Sequence, residues 1–137
     1  MEDMFHVAVK AIIKHNEKVL IIKRSEYDPI NAFVWEFPGG RIHLREDLPN
    51  ALSREVKEET GLIVSAGDIL YAANCEFCET RHCVIISYLC HIEEETITLS
   101  EEHIEYIWAD RAKLQELLHK PILNDLDRYC VWDKLAL

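Results

Sequence analysis

The chain has 137 residues, a hydrophobic share of 49%, a charged share of 29% and a formal net charge of −10. That length fits one domain over residues 1–137 with a buried core, and the ordinary globular composition argues against disorder. The negative charge excludes a general nucleic-acid binder, which needs a positive footprint to release counterions, but not a small anionic substrate received by a local cation.

No apolar run approaches the roughly 20 residues of a membrane span, so no membrane partner is expected. Met1 to Met4 are too short and too acidic for a signal peptide, which makes the cytoplasm the expected address. The five cysteines, Cys75, Cys78, Cys83, Cys90 and Cys130, are an odd set and read as reduced thiols. Cys75 and Cys78 with His82 and Cys83 raise the question of zinc. A structural zinc site wants a second ligand pair, and only Cys90, His91 and His103 lie downstream. Ordinary thiols are favoured.

In chain order, Phe5 to Lys14 reads as a strand, His15 to Lys18 as a turn, and Val19 to Ile22 as a second strand. Ser25 to Val34 holds Asp28-Pro29 and Asn31 and reads as a loop. Pro38-Gly39-Gly40 then interrupts the chain just after Trp35-Glu36-Phe37. A helix follows, with Asp47 as N-cap, Pro49 in its first turn and Gly61 at the C′ position. Leu62 to Ala73 and Cys83 to Ile92 are strand candidates; the second is apolar on both faces and should lie inside a sheet. Ile104 to Trp108 reads as a short strand. Arg111 to Leu118 and Asn124 to Lys134 read as helices separated by Pro121. The mixture predicts an α/β fold, a mixed sheet with helices packed over it.

The informative segment runs from Gly40 to Leu62. On a helix over 47–60, Glu55, Glu58 and Glu59 fall within one arc of about 100°. Leu48, Leu52 and Val56 form an apolar stripe beside that arc, while Asn50, Ser53 and Lys57 point away. Three glutamates on a helix are usually a solvated face. Here they flank the buried stripe, and like charges at these spacings repel by a few tenths of a kcal/mol per pair. They need a cation, and Mg²⁺ is the hard ion that combines carboxylates with substrate phosphates. Arg54 could hold a carboxylate with its fork of donors, or be a surface arginine.

Gly40, five residues, Glu46, seven residues, then Arg54-Glu55-Val56-Lys57-Glu58-Glu59-Thr60-Gly61-Leu62 resembles the complete box of the Nudix hydrolases, G-x5-E-x7-R-E-U-x-E-E-x-G-U with U a bulky aliphatic. Chance agreement at the eight fixed letters is below about one in 10⁸. The box covers 23 residues, and the flanking strands extend the resemblance to nearly the whole chain. It implies a Nudix-type α/β/α sandwich and hydrolysis of a diphosphate linkage in a nucleotide-type substrate, with Mg²⁺ as cofactor and Mn²⁺ as the alternative.

Carried over residue by residue, the resemblance makes Glu55, Glu58 and Glu59 metal ligands or base, with Glu55 and Glu58 equal candidates for the base. Glu46 supports the site, a backbone carbonyl at Gly39 or Gly40 completes the metal's shell, and Arg54 orients a glutamate. Similar enzymes add an acidic residue ahead of a tryptophan, here Glu102 before Trp108, with Glu101 and Glu105 as competitors. Glycines 39 and 40, lacking Cβ, would let backbone approach a metal or phosphate.

Trp35 to Arg41 is similar to the corresponding stretch of MutT-like nucleoside triphosphate pyrophosphatases, including those acting on oxidised guanine nucleotides. Arg24 and Asn31 lie where such enzymes contact the base. Trp35 and Phe37 are stacking or core residues, and Lys23, Arg24 and Arg41 are phosphate-contact candidates. ADP-ribose pyrophosphatases are expected to carry a proline after the box, and none occurs between 50 and 120. The competing readings are a non-catalytic nucleotide sensor and an isoprenoid diphosphate isomerase; the intact box disfavours the first, and the lack of any Cys before Cys75 the second. Many relatives dimerise, so a homodimer is compatible with the resemblance.

Overall fold

The computed structural model describes residues 4–78 and 81–137, without the side chains of 76–78 and 81. The elements follow in the order β1 (Met4–His15), β2 (Lys18–Arg24), β3 (Trp35–Glu36), β4 (Gly39–Arg41), α1 (Leu48–Thr60), β5 (Val64–Cys78), β6 (Arg81–Ile92), β7 (His103–Ala109), α2 (Arg111–Leu117), α3 (Lys120–Arg128) and α4 (Val131–Leu135).

Alternation along the first two strands sets the layers. Val9, Ala11 and Ile13 of β1, with Leu20 and Ile22 of β2, face one core cluster. Ile12, Val19 and Ile21 face another. A strand apolar on both faces needs a cover on both. One cover is α1, through Ala51, Leu52 and Val56. The other is α2 to α4, through Leu114, Leu126, Val131, Trp132 and Leu135. Each such burial contributes roughly 1.5–3 kcal/mol for a large aliphatic. The result is an α/β/α sandwich around a mixed sheet, as the sequence predicts.

The strand order is β3-β2-β1-β6-β5, with β4 also on β1 and β7 also on β2. Strands β1 and β6 run parallel, from Met4 opposite Arg81 to Ile13 opposite Cys90; the other pairings are antiparallel. Strand β6 is interior, between β1 and β5. At the β1–β2 turn Asn16 and Glu17 both have positive φ, 52° and 61°, which a two-residue hairpin loop requires.

The central helix is bounded by its caps. Asp47 accepts the Asn50 N–H at 2.8 Å, and Gly61, with φ 75°, donates to the Lys57 carbonyl at 2.9 Å. The C-terminal helices differ from expectation. Pro121 does not separate them but lies in the first turn of α3, which starts at Lys120; proline's missing N–H has no partner to lose there. The separation falls just before that helix, at Leu118 and His119, and a second break at Cys130, whose φ is 55°, divides the stretch read as one helix from Asn124 to Lys134.

Strand β5 starts at Val64 and continues through Cys75 to Cys78, which bears on zinc. Cys75 is the register partner of Cys83, Cys90 is buried beneath α1, and His82 stacks on Phe5 with ring centroids 5.4 Å apart. The Cys78 side chain lies outside the described residues. Among the described residues no three His, Cys, Asp or Glu side chains gather as a ready-made metal cage, and no helix is long and apolar enough to cross a membrane.

Candidate active site

The Pro38-Gly39-Gly40 turn is pinned to the middle of β1. Ala11 N–H donates to the Pro38 carbonyl at 2.8 Å, and Gly39 and Gly40 stand opposite Lys10 and Val9. A Cβ on Gly39, whose φ is +147°, would fall 2.0 Å from the Val9 carbonyl oxygen. A Cβ on Gly40 would fall 2.5 Å from Glu55 Cδ and Oε2. The space that the two glycines leave is therefore taken by a β1 carbonyl and by the Glu55 carboxylate.

Arg54 organises the acidic edge of α1. Its Nε and Nη2 donate to the two oxygens of Glu46 at 2.8 and 2.9 Å. Nη1 donates to Glu55 Oε1 at 3.0 Å and lies 3.4 Å from both oxygens of Glu58. Nη2 also reaches the Arg41 carbonyl at 3.2 Å. The Arg54 hydrogen bonds, with the His43 N–H, hold the Glu46 carboxyl down at about 2. Hydrogen bonding to Glu46 likewise raises the Arg54 guanidinium above its ordinary value.

Glu59 is different. Its side chain is 10% exposed, against 59% for Glu58, and Oε1 accepts the Gly39 N–H at 2.7 Å. Burial pushes its carboxyl up to about 7, against the pull of Lys10, the Gly39 N–H and His103. Beside it lies a second buried carboxylate, Glu36. Arg24 Nε lies 2.7 Å from Glu36 Oε2, Lys10 Nζ 3.2 Å from Oε1 and His103 Nε2 3.1 Å from Oε2. Burial opposes the Glu36 charge, but Lys10, His103 and Arg24 outweigh it and hold this carboxyl below the ordinary range.

The other sequence candidates divide by position. Arg24 is committed to Glu36 and, at 2.6 Å, to Asp28, so it is an internal ion-pair residue here. Phe37 is 2% exposed and Trp35 7%, both packed in the cluster under α2 to α4. Lys23 Nζ lies over the Trp35 and Phe33 rings, 5.8 and 5.5 Å from their centroids. Asn31 is half-buried, its N–H on Asp28 at 2.7 Å, and Arg41 is exposed. Glu101, Glu102 and Glu105 are all exposed. The Glu102 carbonyl accepts the Ser25 N–H at 2.9 Å, and the Thr98 and Ser100 amides cap the carbonyls of Thr60 and Glu59 at 2.8 and 2.9 Å. Those contacts bring the turn at 101–102 to the C-terminal end of α1.

Lys10, Glu36 and His103 are absent from the residues singled out for the reaction. For Glu36 a signal exists: a lone charge between Trp35 and Phe37 in an apolar run, which burial without partners would make costly. For Lys10 and His103 the partners are 26 and 67 residues away, and nothing local marks them.

The acidic edge can accept a divalent cation. Glu46, Glu55 and Glu58 share one guanidinium, a surplus of two negative charges. Every side-chain donor there is a carboxylate oxygen, the set a hard ion prefers.

Comparison with known proteins identifies the family. The family model described as NUDIX domain matches residues 4–130. The chain is 29% identical to the ADP-ribose pyrophosphatase of Methanocaldococcus jannaschii, over 90% of this chain and 73% of that protein. It is 30% identical to the CTP pyrophosphohydrolase of Escherichia coli, over 83% and 80% of the two chains. It spans 39% of the longer Nudix hydrolase 7 of Arabidopsis thaliana. The crystal structure of the MutT protein from Methanosarcina mazei superposes with a TM-score of 0.85 at 30% identity, covering 98% of this chain and 99% of that one. With the full motif folded around Arg54 and the Pro38-Gly39-Gly40 turn, the chain belongs to the NUDIX family, as a Nudix hydrolase of pyrophosphate bonds.

Proposed function

We propose that this chain, as one Nudix domain, hydrolyses a nucleoside triphosphate, canonical or oxidised, to the monophosphate and pyrophosphate with Mg²⁺. The observation that carries the reading is the surplus of carboxylate over guanidinium on the edge of α1. Glu55, Glu58 and Glu59, with the carbonyl of Gly39 or Gly40, would hold Mg²⁺ or Mn²⁺, with Glu46 supporting them through Arg54 and Glu102 the candidate from the later turn. Such an ion supplies Lewis acidity, neutralising phosphate charge and easing deprotonation of water.

The chain's own groups do the rest. Arg54 fixes Glu55 and Glu46 so that neither reorganises during the reaction. Glu55 or Glu58 takes the proton from the attacking water; Glu58 is the more exposed, and Glu55 rests on Gly40. Lys23 and Arg41 are the cations left for phosphate oxygens, Arg24 being internally paired. Phe33 lies under Lys23, and Asn31 with the exposed rings of Tyr27 and Phe33 on the same loop offers a base a polar edge and stacking faces.

Support for the triphosphate comes from the E. coli relative, named for CTP. The M. jannaschii relative is named for ADP-ribose, which makes that compound the second reading. The test is release of pyrophosphate and phosphate with Mg²⁺ across canonical and oxidised nucleoside triphosphates, nucleotide sugars and ADP-ribose, with Glu58→Gln alongside. Pyrophosphate from a triphosphate, lost by at least about 100-fold in the variant, is the expected result. Preference for ADP-ribose selects the second reading, and no turnover of any compound moves the chain to a nucleotide sensor.

A further inference from the structure

His103 enters the molecule on the first residue of β7, far from the box in sequence, and its side chain is 2% exposed. Its two ring nitrogens face two different buried carboxylates. Nε2 lies 3.1 Å from Glu36 Oε2, and since an ionised carboxylate only accepts, Nε2 carries the hydrogen. Nδ1 lies 3.9 Å from Glu59 Oε2 and 3.5 Å from the Ser100 hydroxyl. Each carboxylate is in turn tied to the Pro38-Gly39-Gly40 turn. Lys10 Nζ donates to both Glu36 Oε1 and the Phe37 carbonyl, at 3.2 and 3.3 Å, and Glu59 accepts the Gly39 N–H at 2.7 Å. The five groups form a closed ring: His103, Glu36, Lys10, the backbone at 37–39, and Glu59.

We infer that His103 is a positioning residue for the box: by donating to Glu36 and lying against Glu59, it fixes the glycine turn relative to the acidic edge of α1. A ring of this kind has few alternative arrangements, because Glu36 would lose a donor if His103 or Lys10 moved and Glu59 would lose one if Gly39 moved, and an unmatched buried polar group is costly. Glu59 is thereby presented in one orientation. The Ser100 amide on the Glu59 carbonyl and the His103 amide on the Ser100 carbonyl, at 2.9 and 3.2 Å, hold the same segment through backbone. The loop before β7 therefore does more than bring Glu101 and Glu102 to the C-terminal end of α1: it leads into the residue that lies against both Glu36 and Glu59. The inference rests on the proposed role of the box glutamates as metal ligands.

The test uses Mn²⁺ alone as probe, titrated into the whole chain and followed by the electron paramagnetic resonance of the free ion, beside melting temperature and steady-state kinetics on a turned-over triphosphate. Partners that orient a ligand are worth about 10–100-fold in metal affinity or activity. His103→Ala is expected to weaken Mn²⁺ binding by at least about 10-fold and to lower kcat by a similar factor, while KM stays within about twofold. His103→Gln places an amide where Nε2 stands and keeps the donation to Glu36; it should bind Mn²⁺ within roughly threefold of the parent. His103→Asn cannot reach Glu36 and should behave as the alanine variant does. Wild-type affinity in His103→Ala overturns the inference. If the alanine variant does not fold, equal Mn²⁺ affinities in the Gln and Asn variants overturn it. A parent chain that binds no Mn²⁺ removes the metal reading and this inference with it, whereas a parent that binds normally beside an unaffected variant removes this inference alone.

Discussion

Gly39 and Gly40 are adjacent, yet alanine at each should fail differently. The methyl of Gly40→Ala would stand 2.5 Å from Glu55 Cδ and Oε2 and 2.8 Å from Oε1, where ordinary contact begins at 3.4 Å. The obstacle is the end of a flexible side chain, so the Glu55 carboxylate retreats by about 1 Å and the backbone stays. A misplacement of that size costs roughly 100-fold in rate, or about 2.7 kcal/mol of transition-state stabilisation. Stability should hardly change. Alanine gains about 0.4–1 kcal/mol by restricting the unfolded chain, and weakening the Arg54–Glu55 pair returns about the same amount.

At Gly39 the obstacle is backbone. The methyl would lie 2.0 Å from the Val9 carbonyl oxygen at a φ of +147°, so relief requires breaking the β1–β4 pairing. That should cost at least about 3 kcal/mol, lowering the melting temperature by roughly 10 °C. Thermal melts of both variants, with pyrophosphate release on the preferred substrate, separate the two cases. Gly40→Ala with an unaltered melt and a full wild-type rate would refute the reasoning, because Glu55 would then not matter where it stands.

Two more outcomes follow from the same geometry. Arg54→Lys replaces a fork serving Glu46 and Glu55 together with a single ammonium; kcat should fall about 10–100-fold with an unchanged circular dichroism spectrum, and a rise in KM alone would speak against an orienting role. Without metal, Glu59 should make stability depend on pH. Burial raises its folded value to about 7, so its contribution is fully present below about pH 4.5 and is lost as the pH rises through about 7. The loss is at most about 3 kcal/mol. Melting temperatures in EDTA should therefore fall between about pH 5 and pH 8, and Mg²⁺ should flatten the profile by favouring the charged form. An equally flat profile in EDTA would contradict the burial argument.

The parts of the molecule legible in the sequence are those whose cause is local. Asp47, Gly61 and the stripe of Leu52 and Val56 specify α1 within one stretch of chain, and α1 runs from Leu48 to Thr60 with those caps. The run from Cys83 to Ile92, apolar on both faces, specifies an interior strand, and β6 lies between β1 and β5. Where a choice depends on a distant neighbour, local reading stops. Pro121 fits equally as a separator of helices and as a first-turn residue; the structure makes it the second. Trp35 and Phe37 are aromatic enough to stack on a base, but β3 pairs with β2 so as to bury both under α2 to α4.

The same division explains which half of the site the sequence carries. The Arg54 cluster joins residues one, four and eight positions apart; helical spacing sets the contact with Glu58, and all four residues lie within one short stretch of chain. The Glu36 cluster joins β1, β2, β3 and β7 through Lys10, Arg24 and His103, and such contacts exist only once strand register is set. A buried carboxylate with three cationic or donor partners is costly to assemble unless all arrive together. Glu36 therefore makes correct pairing of these strands a condition for charge balance. Glu36 ties the Phe37 carbonyl and the strands around it together through Lys10 and His103, so the position of Gly39 beside Glu59 depends on residues outside the box.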